Sequence, residues 1–233
     1  LGEFAKIPVL EPSNSQECLD FAKIAFTISE TFDTPVMLRL TTRVAHSQSL
    51  VEKGEREAKE PKPYEKNPQK YVMVPANARP RHVEAEARLE KLEAYAETSP
   101  LNVEEINDTS MGIIASGIVY EYVKEAVPNA SVFKLGISNP LPRQRLKDFA
   151  AKVDKVYVIE ELDPIIEDKC RAMGLDITGK EIFSRCGEIF PETIADRLLG
   201  KKQEIPYNYP NSLPMRPPVL CAGCPHRGTF HAL

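Results

Sequence analysis

The sequence predicts an α/β protein built on a parallel sheet, and three observations carry that prediction. Short apolar runs, "MGIIASG", "ASVFKLG" and "KVYVIEE", recur between residues 111 and 161, each short enough to be a strand buried on both faces. Amphipathic stretches of about ten residues, "IVYEYVKEAV", "RQRLKDFAAKV" and "DPIIEDKCRAMG", separate or follow them, and strands alternating with helices of that length build parallel sheets covered on both faces. Helix punctuation agrees: Asp163 is placed to cap a helix with Pro164 at its first position, and Gly174 ends it. In the first helix Ile118, Tyr122 and Ala126 align, and "PETIADRLLG" supplies a last helix that closes the unit near residue 200.

Before this unit the chain reads as helix, strand and loop. Phe21, Ile24, Ala25, Ile28 and Phe32 recur at three-to-four spacing, and Leu19, Ala22 and Phe26 widen the apolar side, so a largely buried helix is expected with Asn14 or Ser15 as its cap. Thr34-Pro35 stops it, "VMLRL" follows as a strand, and "TTRVAHS" is a loop past that strand's carboxyl end. Residues 52–81 are charged and hold five prolines, which predicts a linker. "RHVEAEARLEKLEAYAET" is then a helix with Ala85, Leu89, Leu92 and Ala96 on one stripe and Glu84 four residues before Arg88. "KKQEIPYNYPNSLPMRPPVL" is an extended crossing that leads to "CAGCPHRG".

Composition removes several functions. Thirty Lys and Arg against 34 Asp and Glu give a net charge of −4 without a basic run, which argues against nucleic-acid binding. No apolar run reaches about 18 residues, so no membrane span is expected. The opening "LGEFAKIPVLEP" has no secretion signal and no initiator Met. Five scattered cysteines, Cys18, Cys170, Cys186, Cys221 and Cys224, do not form a disulfide framework and suit a cytoplasmic location, with the first three as small buried hydrophobes.

Four motifs carry possible chemistry. Thr41, Thr42, Arg43 and His46 lie past a strand end, where open α/β sheets bind ligands; the plainer alternative is a solvated loop. "GIIASG", Gly112 to Gly117, lacks the Lys-Ser/Thr of a P-loop and the three glycines of a dinucleotide site, so a tight turn is the first reading, with the Ser116 and Gly117 amides free to receive an anion. Glu160 and Glu161 end a strand as a carboxylate pair, but successive residues point to opposite faces. In "CAGCPHRG", Cys221 and Cys224 make an incomplete zinc or iron–sulfur set, Gly223 and Gly228 permit close backbone approach, and Arg227 can grip phosphate.

Taken together, "TPVMLRLTTRVAHSQSLVE", "MGIIASGIVYEYVKEAVPNASVFKLGISNPLP", "VDKVYVIEELDPIIED" and "RPPVLCAGCPHRGTF" resemble the alpha subunit of the indolepyruvate:ferredoxin oxidoreductases, thiamine-diphosphate-dependent 2-oxoacid:ferredoxin oxidoreductases. The resemblance covers nearly the whole chain and implies a layout. Residues 1–51 correspond to the end of the pyrimidine-binding domain, 52–106 to a linker and helix, 107–200 to a transketolase C-terminal-like α/β domain, and 201–233 to an extended linker and the start of the diphosphate-binding domain.

It further implies oxidative decarboxylation of an aryl 2-oxoacid, with coenzyme A taking the acyl group, ferredoxin the electrons, and a beta subunit as partner. Thiamine diphosphate, Mg²⁺ and 4Fe-4S clusters are the implied cofactors. Gly223, Cys224, His226 and Arg227 are expected beside thiamine diphosphate, Cys221 and Cys224 are candidate metal ligands, and Arg43 and His46 are candidate catalytic residues. The activating glutamate is expected before residue 1 and the Mg²⁺-binding Gly-Asp-Gly…Asn motif after residue 233, so this chain is expected to be an internal piece, inactive alone. A non-catalytic α/β interaction module, or an acyl-CoA- or nucleotide-binding domain using "GIIASG", remains the alternative.

Overall fold

Two sheets organise the first 202 residues. The computed structural model describes residues 1–56, 63–202, 220 and 223–233, and its contacts divide the chain once, between Lys202 and Gln203.

In the N-terminal part, α1 (Gly2–Ala5) leads to β1 (Val9–Leu10), α2 (Ser15–Phe32), β2 (Met37–Leu38) and α3 (Thr42–His46). Asn14 caps α2, its side chain accepting from the Glu17 amide at 3.0 Å. Phe21, Ala25 and Ile28 are buried, but Phe26 is 73 % exposed, so the apolar side is narrower than its composition suggests. "TTRVAHS" is a short helix rather than a loop, because the Thr41 hydroxyl caps the Val44 amide.

The expected linker also carries structure. After α4 (Pro68–Tyr71), α5 runs from Pro75 to Thr98, beginning well before the predicted start and continuing through Pro80. Its start is fastened by Asn77, whose side-chain amide donates to the carbonyls of Pro68 (3.3 Å) and Val72 (2.9 Å). Leu92 and Ala96 are its buried residues, packing with Leu10, Phe21, Ile28, Leu101 and Ile137. Arg88 donates to the Asp33 carbonyl, not to Glu84, which pairs with Arg81.

The main sheet contains β3 (Val103–Glu105), β4 (Asp108–Ser116), β5 (Ala130–Leu135) and, after the short β6 (Ile137–Asn139), β7 (Val156–Ile159), in the order β3-β5-β4-β7. β4 pairs in parallel with β5 and β7, whereas the unpredicted β3 runs antiparallel to β5, so the sheet is mixed. β6 leaves this sheet and pairs antiparallel with β1, giving a second sheet of order β2-β1-β6.

α6 (Ile118–Ala126) and α9 (Pro191–Leu199) pack on one face with Ile113, Val132 and Ile159, using Val119, Val123 and Ile194 as buried contacts. The predicted stripe of Ile118, Tyr122 and Ala126 flanks that contact and is only half-buried. α7 (Arg143–Ala150) and α8 (Ile165–Ala172) cover the other face, around Ile114, Phe133, Leu146 and Phe149. Cys170 is fully buried there and burial pushes its thiol up to about 12, while, against expectation, Cys18 is only half-buried and Cys186 is exposed.

A second tie joins α2 to the main sheet. Lys134 of β5 is buried, pairs with Glu17, donates to the Ser13 hydroxyl at 3.0 Å, and lies 4.4 Å above the Tyr120 ring. Ser13 and Asn14 in turn donate to Glu121 of α6 at 2.7 and 2.9 Å.

In the C-terminal unit, the described residues form a turn at Gly223 and the helix α10 (His226–Ala232). Residues 203–219, which hold most of the expected extended crossing, lie outside the described residues.

Candidate functional site

Strand order locates the first candidate. The connection after β4 goes to β5 on one side, and the chain returns to β7 on the other. The carboxyl ends of β4 and β7 therefore flank a point where connections diverge, which is where open α/β sheets form a crevice. A cleft of about 470 Å³ opens there, lined by Glu11, Arg39, Thr41, Ser116, Ser138 and Glu160 together with apolar side chains that include Val9, Val119 and Ile166.

Glu11 is the most connected of these residues. It follows β1, its amide donates to the Gly136 carbonyl at 2.9 Å, and its side chain is buried. One carboxylate oxygen accepts from the Ser138 hydroxyl at 2.6 Å. The other accepts from the Ser116 hydroxyl at 3.1 Å and from the Arg39 guanidinium at 2.7 Å.

Gly117, with φ of 54°, sits directly before α6, and a Cβ added to it would lie 3.7 Å from the same Glu11 oxygen. The "GIIASG" turn is thus the predicted tight turn, and the chain's own Glu11 carboxylate lies beside it on the Ser116 hydroxyl.

Glu160 plays the matching part at α8. Its two oxygens accept from the amides of Ile166 (2.9 Å) and Glu167 (2.8 Å), satisfying the helix start. Asp163 is not the cap and Pro164 precedes the helix rather than opening it. Burial raises the Glu160 pKa, opposed by those two amides and by the charge of Lys180. Glu161 accepts from the Ile189 amide at 3.1 Å. The carboxylate pair is therefore engaged with two different backbone segments. In the sequence the Asp163-Pro164 pair mimics a cap for this helix, which hid the part played by Glu160.

Thr42, Arg43 and His46 all lie exposed on α3, and neither Arg43 nor His46 lines the cleft. Arg43 engages Glu188 through Nε (3.1 Å) and through a second guanidinium nitrogen, and stacks 5.3 Å from the Phe190 ring centroid. The pairing with Glu188 raises the Arg43 pKa.

The C-terminal motif is described in part. Cys221 lies outside the described residues, so its expected ligand role has no structural account. Cys224 Sγ is 3.2 Å from His226 Nδ1, Gly223 has φ of 76°, and Arg227 is exposed. A side chain at Gly223 or Gly228 would meet nothing within 4 Å, so the glycines are not forced by packing; Gly223 is called for by its left-handed backbone. Among the described residues no three His, Cys, Asp or Glu side chains gather to hold a metal ion, and no helix is long and apolar enough to cross a membrane.

Comparison with known proteins fits this architecture. Residues 5–107 match the family described as pyruvate flavodoxin/ferredoxin oxidoreductase, thiamine diphosphate-binding. Curated relatives named indolepyruvate oxidoreductase subunit IorA are 37 % identical in Archaeoglobus fulgidus, 40 % in Pyrococcus abyssi and 38 % in Methanothermobacter marburgensis. Each match covers 100 % of this chain and 40 % of the relative, so the chain spans about two fifths of the length of these proteins.

Among solved structures, a 2-oxoglutarate:ferredoxin oxidoreductase from Magnetococcus marinus, with 2-oxoglutarate, coenzyme A and succinyl-CoA bound, superposes with a TM-score of 0.56 at 15 % identity. That match covers 83 % of this chain and 42 % of the other, and is a likeness of fold. With its whole length aligned to such relatives, the chain belongs to the family of indolepyruvate oxidoreductase subunits IorA, among the 2-oxoacid:ferredoxin oxidoreductases.

Proposed function

We propose that this chain is part of a cytoplasmic enzyme that oxidatively decarboxylates aryl 2-oxoacids such as indolepyruvate, with ferredoxin as electron acceptor and coenzyme A as acyl acceptor. The observation that carries this reading is alignment over 100 % of the chain at 36–40 % identity with proteins named as indolepyruvate oxidoreductase subunits. A beta subunit completes the enzyme. Residues 1–51 close the pyrimidine-binding domain, 52–106 connect, 107–200 form the transketolase C-terminal-like domain and 201–233 open the diphosphate-binding domain.

Thiamine diphosphate supplies, when bound, an electron sink for decarboxylation. Toward its diphosphate the chain offers Arg227 and His226, with Gly223 and Cys224 in the preceding turn. The described residues do not gather a Mg²⁺ or 4Fe-4S ligand set, and no step through a metal is assigned to them. Cys221 and Cys224 remain a candidate ligand pair for a cluster.

Arg43 is proposed to hold the carboxylate of the 2-oxoacid. Its guanidinium already meets one carboxylate, that of Glu188, where Nε and a second nitrogen donate to the same oxygen, and this pairing supports a carboxylate as its ligand. Its position on α3, past the end of β2, supports this role, and His46, three residues further on the same short helix, is the second candidate. The alternative of a nucleotide or acyl-CoA phosphate on "GIIASG" is disfavoured, because the buried Glu11 carboxylate beside the turn would repel it.

The test is arylpyruvate oxidation by the intact enzyme carrying Arg43→Ala. A rise in KM of at least about tenfold is expected from loss of a charge-assisted carboxylate contact, and wild-type kinetics would refute the assignment. In parallel, Arg227→Ala is expected to weaken thiamine diphosphate binding. Cys221→Ser with Cys224→Ser reports on ligation through iron per subunit.

A further inference from the structure

We propose that Glu11 is a positioning residue for the segment Thr41–His46 that carries Arg43, which it locks to the carboxyl end of the main sheet through Arg39. This rests on the reading of that turn given above and adds a residue to it. The turn follows β2 directly, and β2 is only two residues long. Its backbone ties are few: the Met37 amide donates to the Pro8 carbonyl and the Arg39 amide to the Leu10 carbonyl, each at 2.9 Å. A strand so short does not by itself fix the direction of the chain that leaves it.

The side chain of Arg39 supplies what the ladder lacks. It reaches across β1 to Glu11, and Glu11 is bound at the same time to Ser116 at the end of β4 and Ser138 in β6. One buried carboxylate thus gathers four chain segments separated in sequence by 28, 105 and 127 residues. The Glu11 carboxylate faces the Arg39 guanidinium, and its two oxygens together accept from two hydroxyls and that guanidinium. Arg39 stands four residues before Arg43, with Thr41, the cap of the turn, between them and lining the same cleft. Loss of the clasp therefore frees the segment that carries Arg43 while leaving the apolar cores untouched, since none of the four clasp residues belongs to a core cluster.

The test uses the intact enzyme with Glu11→Gln, which keeps size and hydrogen-bonding capacity but removes the charge, and Glu11→Asp, which keeps the charge on a shorter stem. Amide hydrogen exchange is measured over residues 37–47 with and without an arylpyruvate, alongside steady-state kinetics. For Glu11→Gln we expect faster exchange in that segment, a KM for the arylpyruvate raised about tenfold, and kcat within about twofold of wild type. Glu11→Asp is expected to recover part of both effects, and Arg39→Met to reproduce Glu11→Gln without adding to it in the double variant. Unchanged exchange over residues 37–47 in Glu11→Gln overturns the proposal and leaves the role of Arg43 standing. Altered exchange with an unchanged KM overturns the link to substrate, and if Arg43→Ala also has a wild-type KM the failure belongs to the reading of the turn and not to the clasp. Should Glu11→Gln fail to accumulate, Ser116→Ala with Ser138→Ala, which removes the hydroxyls and keeps the Glu11–Arg39 pair, must show the same increase in exchange, or the proposal falls.

Discussion

Both sheets pack on apolar cores, but they differ in how much polar tethering is added to that packing. In the four-stranded sheet, Ile113, Ile114, Val132, Phe133 and Ile159 are wholly removed from solvent, and helices cover both faces. The three-stranded sheet has strands of two, two and three residues, and its edge strand β2 is only half-buried. Its outer strand is fixed by the Glu11 clasp, and the neighbouring helix α2 by Lys134, Glu17 and Ser13. Apolar burial is non-directional and fixes a layer, whereas hydrogen-bonded charges fix a direction. The region that carries Arg43 is the one in which direction matters.

The largest expected effect strikes the apolar side of this comparison. Phe133 packs edge-on against Phe149, ring centroids 5.6 Å apart. Phe133→Ala should lower unfolding free energy by about 3–5 kcal/mol, read from denaturant midpoints. A loss below about 1 kcal/mol would show that the four-stranded sheet does not dominate stability.

On the polar side, Lys134→Met leaves Glu17 without its cation and Glu121 close to it. A loss of about 3 kcal/mol is expected, the cost of breaking a buried pair from one side, and near-neutral behaviour would mean that the pair serves neither stability nor registration of α2.

Glu160 gives a pH signature. Its folded-state pKa is raised by burial, so its contribution is fully present below the ordinary carboxylate pKa and is lost as pH rises through the folded value. Thermal melts of wild type and Glu160→Gln across pH 4 to 8 should therefore diverge in the variant's favour as pH increases. A difference that stays constant with pH would contradict the raised value.

The smallest effect is expected at Glu188. Its pair with Arg43 leaves both side chains about half exposed, and Glu188→Gln should change stability by less than about 1 kcal/mol. A larger change would mean that α3 depends on this contact as much as on its strand.

The same division explains what could be read in advance. β4, β5, β7 and the helices among them were legible because each buries an apolar run or stripe, a property of consecutive residues. β3 was not, because Val103–Glu105 is a short polar edge whose pairing is decided by β5. The early start of α5 was hidden behind prolines: Pro75 is tolerated at a helix start, and Asn77 secures a segment that composition marks as a linker. The Glu11 clasp was invisible because its partners lie 28 to 127 residues away and nothing local distinguishes that glutamate. For Arg43 and His46 the sequence indicated the strand end, and the structure adds the Glu188 and Phe190 contacts of Arg43.

One residue separates the end of β5 at Leu135 from the start of β6 at Ile137, so a single path of chain passes from one sheet to the other. A Cβ on the intervening Gly136 would stand 2.2 Å from the Leu101 carbonyl oxygen, so the Leu101 backbone packs directly on the joint and only glycine fits there. A side chain introduced at Gly136 would therefore be felt in both sheets at once, because any shift that relieves its clash with Leu101 moves the end of β5 or the start of β6.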